Sequence, residues 1–254
     1  MPISVDYPDR GIARVLLQNV ERRNAFTLEM VESLAATWPN LATDPAIRVV
    51  IVTGAGEEAF SSGADLSVDM ASVPHIDLLI DAALLKTKFF PKPLIAAING
   101  VCVAGGLELA LSADIRIACE NARLGLPEVC WGIMPSGGAA MKLADQIGHA
   151  NAMDLLLSGR LISGHDAERI GLVSSVLPVE GFADAVLAYA RVIARNSPVA
   201  VSAAKAAAML HRSNDYQGRE EAERKLVSSV RASGHYKIGI EAFLAKARPS
   251  FPDT

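Results

Sequence analysis

The stretch Leu94 to Glu128, LIAAINGVCVAGGLELALSADIRIACENARLGLPE, limits what this chain can fold into more than any other. Its first five residues are apolar without alternation, which suits a strand buried on both faces, as in a parallel sheet between helical layers. An Asn99-Gly100 turn follows, then the pair Gly105-Gly106 opening a helix that carries Glu108, a second strand from about Ile115 to Ala118, and Glu128 on a Leu-Pro-Glu turn. Ile47 to Thr53 (IRVVIVT) is another buried run, ending in Gly54-Ala55-Gly56. Buried strands separated by helical segments predict an α/β architecture. A carboxylate inside GGLELAL is costly to bury unless something compensates it, so Glu108 calls for either a partner or a role in chemistry.

The remaining chain supports the same layering. Residues 3 to 18 read as a hairpin around Pro8-Asp9-Arg10-Gly11. Thr27 caps a helix with Leu28, Val31, Leu34, Ala35 and Trp38 at helical spacing and Pro39 close to its end. Ala59 to Leu66 (AFSSGADL) is a small, polar turn through which a ligand can approach the backbone, or a plain surface turn. Short helices are expected over Ala139 to Ile147, Ala150 to Leu157 and Asp166 to Ile170, the last capped by Ser163, and a short strand over Val173 to Leu177. Longer helices follow over Glu180 to Asn196, Pro198 to His211, Asp215 to Arg231 and His235 to Ala247. Ser197-Pro198 is a good helix start and marks the one boundary, giving an α/β core over 1–196 and a helical region over 197–254.

Composition removes several function classes. A net charge of −4 argues against a nucleic-acid surface, so an anionic ligand must find a local basic cluster. Arg22 with Arg23, Lys86 with Lys88 and Lys92, and Lys246 with Arg248 are the candidates, each more often a solvated face unless the fold makes them converge. The three cysteines lack C-x-x-C spacing and the five histidines lack H-x-x-x-H, so no disulfide framework or metal site is expected. There is no G-x-S-x-G elbow, and Gly54-Ala55-Gly56 lacks the third glycine of a dinucleotide fingerprint. The N-terminus has no leader pattern and no uncharged apolar run reaches the roughly 18 residues of a membrane span, so a soluble, cytoplasmic protein is expected.

What remains is a glycine-rich loop beside two glutamates. A helix starting near Gly105 offers free N–H groups to an anion or oxyanion, and a second N–H from the 61–65 loop, such as that of Ser62, would complete a pair. Glu108 lies one turn into that helix, and Glu128 can face the same ligand from the other side. Two neighbouring carboxyls separate into an acid and a base. The competing reading pairs Glu108 with a core arginine such as Arg116.

AFSSGADL (59–66), INGVCVAGGLELALSADIRIA (98–118) and LGLPEVCWGIMPSGG (124–138) together resemble the crotonase, or enoyl-CoA hydratase/isomerase, superfamily. Arg23-Asn24-Ala25, SGRLISGHDAERIGLVSSV (158–176), the Ser197-Pro198 helix with Lys205, and GIEAFLAKARPSF extend the likeness over nearly the whole chain. The resemblance implies a spiral of ββα units with a C-terminal helical trimerisation region, assembled as a homotrimer or dimer of trimers. It also implies an acyl-CoA substrate, with no metal, redox cofactor, nucleic acid or membrane involved. Ser62 and Gly105 fall at the family's oxyanion donors, and Glu108 and Glu128 at the two glutamates of its hydratases, which add water to a trans-2-enoyl-CoA. Arg23, Ala25, Ser62, Ala64, Asp65, Leu66, Gly105 and Lys246 are the expected contacts of the CoA thioester, with the adenine near Ala64, Asp65 and Leu66. The chain departs from the family after Pro135, where Ser-Gly-Gly-Ala-Ala-Met-Lys replaces the common Gly-x-Gly-Gly-Thr-Gln-Arg, and at Gly234-His-Tyr-Lys-Ile-Gly. Isomerase, specialised dehydratase, hydrolase and non-catalytic acyl-CoA-binding readings stay open on such a scaffold.

Overall fold

The computed structural model describes residues 1–67, 70–213, 228, 231, 232, 234–247 and 249. The chain opens with the antiparallel pair β1 (Ile3–Asp9) and β2 (Ile12–Leu17). The reversal is tighter than the sequence suggests: Pro8 and Asp9 belong to β1, and Arg10-Gly11 alone turn the chain. Helix α1 (Leu28–Thr43) is capped by Thr27, whose side chain accepts from the Met30 N–H at 3.2 Å, and it buries Met30, Val31, Leu34, Trp38 and Leu41. It does not stop near Pro39 but runs a further turn. Leu41 in the core and a bond from Thr43 Oγ1 to the Pro39 carbonyl (3.0 Å) hold that turn, while Lys92 Nζ donates to the Leu41 carbonyl at 2.7 Å.

Next come β3 (Val49–Gly54), β4 (Ala59–Ser61), α2 (Ile76–Ala83), β5 (Leu94–Ile98), β6 (Val101–Val103), α3 (Gly105–Ala110), β7 (Ile115–Cys119) and β8 (Arg123–Gly125). Three times in succession, therefore, a strand of one sheet leads into a three-residue strand of another. After α4 (Ala139–Ile147) and α5 (His149–Ser158), β9 (Leu161–Ser163), α6 (Gly164–Arg169) and β10 (Ser175–Leu177) complete both sheets. The large sheet has the order β1-β2-β3-β5-β7-β10 and is parallel from β2 onward; the small one has the order β4-β6-β8-β9. In α6 the expected Ser163 cap is present, its hydroxyl accepting from the Asp166 N–H.

The apolar runs explain this arrangement. Along β3 and β5, Val50, Val52, Leu94, Ala96 and Ile98 point into the main core, while Val49, Ile51, Ile95 and Ala97 form a second core with α7 (Phe182–Ala194) through Phe182, Val186 and Ala190. Strands covered on both faces need no polar alternation. Each fully buried Leu or Ile contributes about 1.5 to 3 kcal/mol, so these two layers dominate the stability of the sheet.

The helix α8 (Pro198–Ser213) is pinned back on the core where Lys205 Nζ meets the Lys92 carbonyl (2.8 Å) and Asp114 Oδ2 (2.7 Å). Of the expected helix over 215–231, only Ser228 and Arg231 are among the described residues. The last helix, α9 (His235–Leu244), lies on a 3-10 turn, Pro127–Trp131. The contact is close: a Cβ on Gly239 would stand 1.6 Å from the Trp131 carbonyl oxygen, and Phe243 packs edge-on to the Trp131 ring at 5.2 Å. Among the described residues no helix is long and apolar enough to cross a membrane.

Candidate active site

Successive turns of the chain bring four segments together: the 61–65 loop after β4, the β6–α3 junction, the 3-10 turn carrying Glu128, and the loop 135–138. Gly63 has φ +87° and lies so near the second segment that a Cβ there would be 2.7 Å from Ala104 Cβ and 3.1 Å from the Gly105 nitrogen. Ala104 itself has φ +50° and ψ −129°, a region costing a non-glycine residue about 1 to 3 kcal/mol. That strained residue sets the direction in which α3 begins, with the Gly105 nitrogen beside the 61–65 loop.

The expected donor pair needs one correction. The Ser62 N–H is already committed, donating to the Arg23 carbonyl at 3.0 Å, and the Ser62 hydroxyl donates to the Arg22 carbonyl at 3.1 Å. Two residues on, Ala64 forms a parallel bridge with Phe26 in which the neighbours make the bonds: Phe26 N–H to Gly63 O at 2.7 Å, and Asp65 N–H to Phe26 O at 3.0 Å. In such a bridge the central residue's own N–H points away from its partner. Ala64 is exposed, and neither its N–H nor that of Gly105 takes part in a turn or cap bond among the described residues. The loop is where the sequence puts it; the free amide is that of Ala64.

Arg23-Asn24-Ala25 serves the loop from behind. Asn24 is fully buried, accepts from the Asn19 N–H at 2.9 Å, and donates to the carbonyls of Ala55 and Ala59 at 2.9 and 2.8 Å. Ser61 Oγ donates to the Asn24 carbonyl at 2.7 Å. Ala25 is buried with its carbonyl accepting from Asn19 Nδ2, and the Arg23 side chain is exposed, 3.6 Å from Glu58. Asp65 is buried and receives Arg22 and Ser67. Burial pushes its carboxyl up, but the Ser67 hydroxyl and amide and the Arg22 guanidinium outweigh this and hold it below the usual carboxylate range. Leu66 is half-buried on the same loop. Lys246 is exposed just past α9, and among the described residues no hydrogen bond or ion pair joins it to the 62–66 loop; Arg248 lies outside those residues.

The glutamates are the chemical centre. Glu108 and Glu128 are only 5% and 8% exposed. Glu108 Oε1 accepts the Gly137 N–H at 2.5 Å, and the two groups are so close that a Cβ on Gly137 would stand 2.4 Å from Oε2. An amide donor stabilises the ionised form of its acceptor. Arg116, the alternative partner considered from sequence, donates to the carbonyls of Leu172 and Ala113. Glu128 is in the opposite condition: its Oε2 is buried with no hydrogen-bond partner. Burial, and then repulsion from Glu108, pushes the Glu128 carboxyl up to about 8, so at neutral pH it holds a proton beside a carboxylate. Two buried carboxyls in unlike settings, close enough to repel one another, thus lie on elements that also carry or adjoin amides making no turn or cap bond among the described residues. Sequence reasoning named both glutamates, Gly105 and Ala64, the last as a contact near the adenine rather than as a free amide, and did not single out Gly137, whose N–H meets Glu108.

The chain as a whole has close counterparts. The family model described as Enoyl-CoA hydratase/isomerase matches residues 8–254. The 2,3-dehydroadipyl-CoA hydratase of Escherichia coli is 38% identical over 244 residues, covering 94% of this chain and 95% of that protein. The (E)-benzylidenesuccinyl-CoA hydratase of Thauera aromatica is 35% identical over 257 residues, covering 99% of each. Among solved structures, carnitinyl-CoA hydratase from Mycobacterium avium superposes with a TM-score of 0.91 at 30% identity, covering 98% of both chains. The paired sheets are therefore the crotonase fold, and the chain belongs to the enoyl-CoA hydratase/isomerase family of enzymes.

Proposed function

We propose that the chain adds water to a trans-2-enoyl-CoA to give a 3-hydroxyacyl-CoA. The observation that carries this reading is the unlike setting of the two buried glutamates, next to the free N–H groups of Ala64 and Gly105: Glu108 is held by the Gly137 amide, while Glu128 has one oxygen that no donor meets among the described residues and a carboxyl pushed up to about 8. A thioester oxygen received by those two amides gains stabilisation as negative charge builds on it; one such donor lowers a barrier by about 2.7 to 4 kcal/mol. Glu108 takes a proton from the water whose oxygen bonds to C3. The π electrons of the alkene shift through C2 to the thioester oxygen, giving an enolate, and C2 then takes the Glu128 proton. Return of one proton from Glu108 to Glu128 closes the cycle, with one water consumed. General acid and base of this kind typically contribute 10²- to 10⁴-fold each.

CoA lies along the 62–66 loop in this proposal, its adenine near Ala64, Asp65 and Leu66, with Arg22, Arg23 and Lys246 as the basic groups at hand for its phosphates. Assembly is as a homotrimer or dimer of trimers, with no metal or redox cofactor. Both relatives described above are named as hydratases, which favours hydration over a double-bond shift. Loss of the conjugated thioester absorbance of crotonyl-CoA tests the reading, with one deuterium expected at C2 of product formed in D₂O. Glu108→Gln and Glu128→Gln should each slow turnover by about 10²-fold or more. Turnover near that of the unaltered enzyme in either variant removes that residue from the mechanism.

A further inference from the structure

Near the glutamates lies a cavity of about 190 Å³ lined, among the described residues, by Asp77, Ile80 and Asp81 of α2, by Lys86 just beyond it, and by Ser136, Ser228 and Arg231. It shares a wall with the site. Ser136 immediately precedes Gly137, whose N–H holds Glu108, and Leu84 at the end of α2 closes on the same glycine, its Cδ1 standing 2.8 Å from where a Gly137 Cβ would be. The volume is far above the roughly 15 Å³ that one water needs.

The lining is ionic rather than greasy. Lys86 Nζ lies 3.6 Å from Asp81 Oδ1, with the two side chains only 4% and 10% exposed, and Arg231 lies 3.1 Å from Asp77. Ser136 is half-buried, and among the described residues its hydroxyl makes no hydrogen bond to the protein. An alkyl tail entering here would lie against paired charges and would cover the Ser136 hydroxyl without giving it a hydrogen bond, at about 1 to 3 kcal/mol for that group. A group with an oxygen at its tip meets that hydroxyl. Building on the hydration reading above, we infer that the enoyl group taken by this enzyme carries a hydrogen-bonding oxygen at its far end, received by the Ser136 hydroxyl, Lys86 and Arg231. Because the described lining holds two cations and two carboxylates, a hydroxyl enters without adding net charge, whereas a carboxylate adds one negative charge that the two cations must share with Asp77 and Asp81.

The test compares kcat/KM for three six-carbon substrates, hex-2-enoyl-CoA, 6-hydroxyhex-2-enoyl-CoA and 5-carboxypent-2-enoyl-CoA, in the unaltered enzyme and in Ser136→Ala and Arg231→Gln. An oxygen-ended substrate should exceed hexenoyl-CoA by about tenfold or more, and the better of the two identifies the group. Each variant should cut that preference several-fold; Arg231 is an exposed position, so its variant reports even if Ser136→Ala disturbs the loop. Hexenoyl-CoA turned over as well as the others, or a preference unchanged in both variants, overturns the inference while leaving hydration standing. Turnover of none of the three overturns hydration and the inference together.

Discussion

Replacing Glu128 by Gln should make the protein both slower and more stable, with a pH dependence that can be worked out in advance. The carboxyl is 8% exposed, one of its oxygens has no partner, and burial with Glu108 at hand pushes it from 4.5 up to about 8. Between those two values the unfolded chain has released its proton and the folded chain still holds it. Unfolding there releases a proton, so the unaltered protein loses stability as pH rises through that window and levels off above it. At about 1.4 kcal/mol per pH unit, the span from 4.5 to about 8 sets an upper limit of roughly 5 kcal/mol on the loss. Glutamine has the same shape and no proton to lose, so the variant escapes that fall. Urea unfolding at pH 5, 7 and 9, on assembled protein at one concentration, should give midpoints that nearly coincide at pH 5 and separate progressively toward pH 9, the variant higher. Crotonyl-CoA hydration measured alongside should drop by about 10²- to 10⁴-fold. A midpoint difference that does not change with pH would mean that Glu128 is not held protonated, and its assignment as the acid would fail with it.

Three further outcomes follow from the same geometry. Gly137→Ala puts a Cβ 2.4 Å from Glu108 Oε2 and 2.8 Å from Leu84 Cδ1; displacing that carboxylate by about 1 Å should lower kcat about 100-fold, and crowding the buried Leu84 should cost about 1 to 3 kcal/mol of stability in chemical unfolding, while near-normal kcat would refute the role given to this amide. Asn24→Ala removes one accepted and two donated hydrogen bonds from a fully buried site, so chemical unfolding should register a loss of about 3 kcal/mol; a loss under 1 kcal/mol would show that water replaces the amide. In Gly239→Val the helix α9 cannot keep its seat, since even a Cβ would lie 1.6 Å from the Trp131 oxygen. The near-UV circular dichroism of Trp131 should diminish together with hydration, and an unchanged spectrum would sink the argument.

How much of this could be read from sequence depended on how far each determinant reaches along the chain. The runs that became β3, β5 and β7 were legible because their burial on both faces is written into the residues themselves, and Thr27, Ser163 and Ser197-Pro198 announced helix starts through local bonding. Strands β4, β6, β8 and β9 have three residues each, too few for any period; only their neighbours make them strands. The glutamates stood out because charge in an apolar, glycine-rich setting is conspicuous. Which amide of the 61–65 loop is free was not legible, because the answer lies in a bond from Ser62 to Arg23, thirty-nine positions earlier (62 − 23 = 39). Lys86 was read with Lys88 and Lys92 as a solvated face, yet it is buried against Asp81, a partner that its immediate neighbours in sequence do not reveal. Pro39 was read as lying close to the end of α1, and the helix runs one turn past it to Thr43, with Leu41 of that turn in the core.

From β2 onward every pairing in the large sheet is parallel, so each needs a long crossover before it can form. Asn24, Ala64, Gly105, Glu128 and Gly137 meet only after three such crossovers have stacked. Non-local pairing of this sort is slow, because the entropy of loop closure comes before any reward. Regain of turnover after dilution from denaturant should therefore lag behind regain of helical signal, and a nascent chain released before residue 137 would carry much of its secondary structure with none of its chemistry.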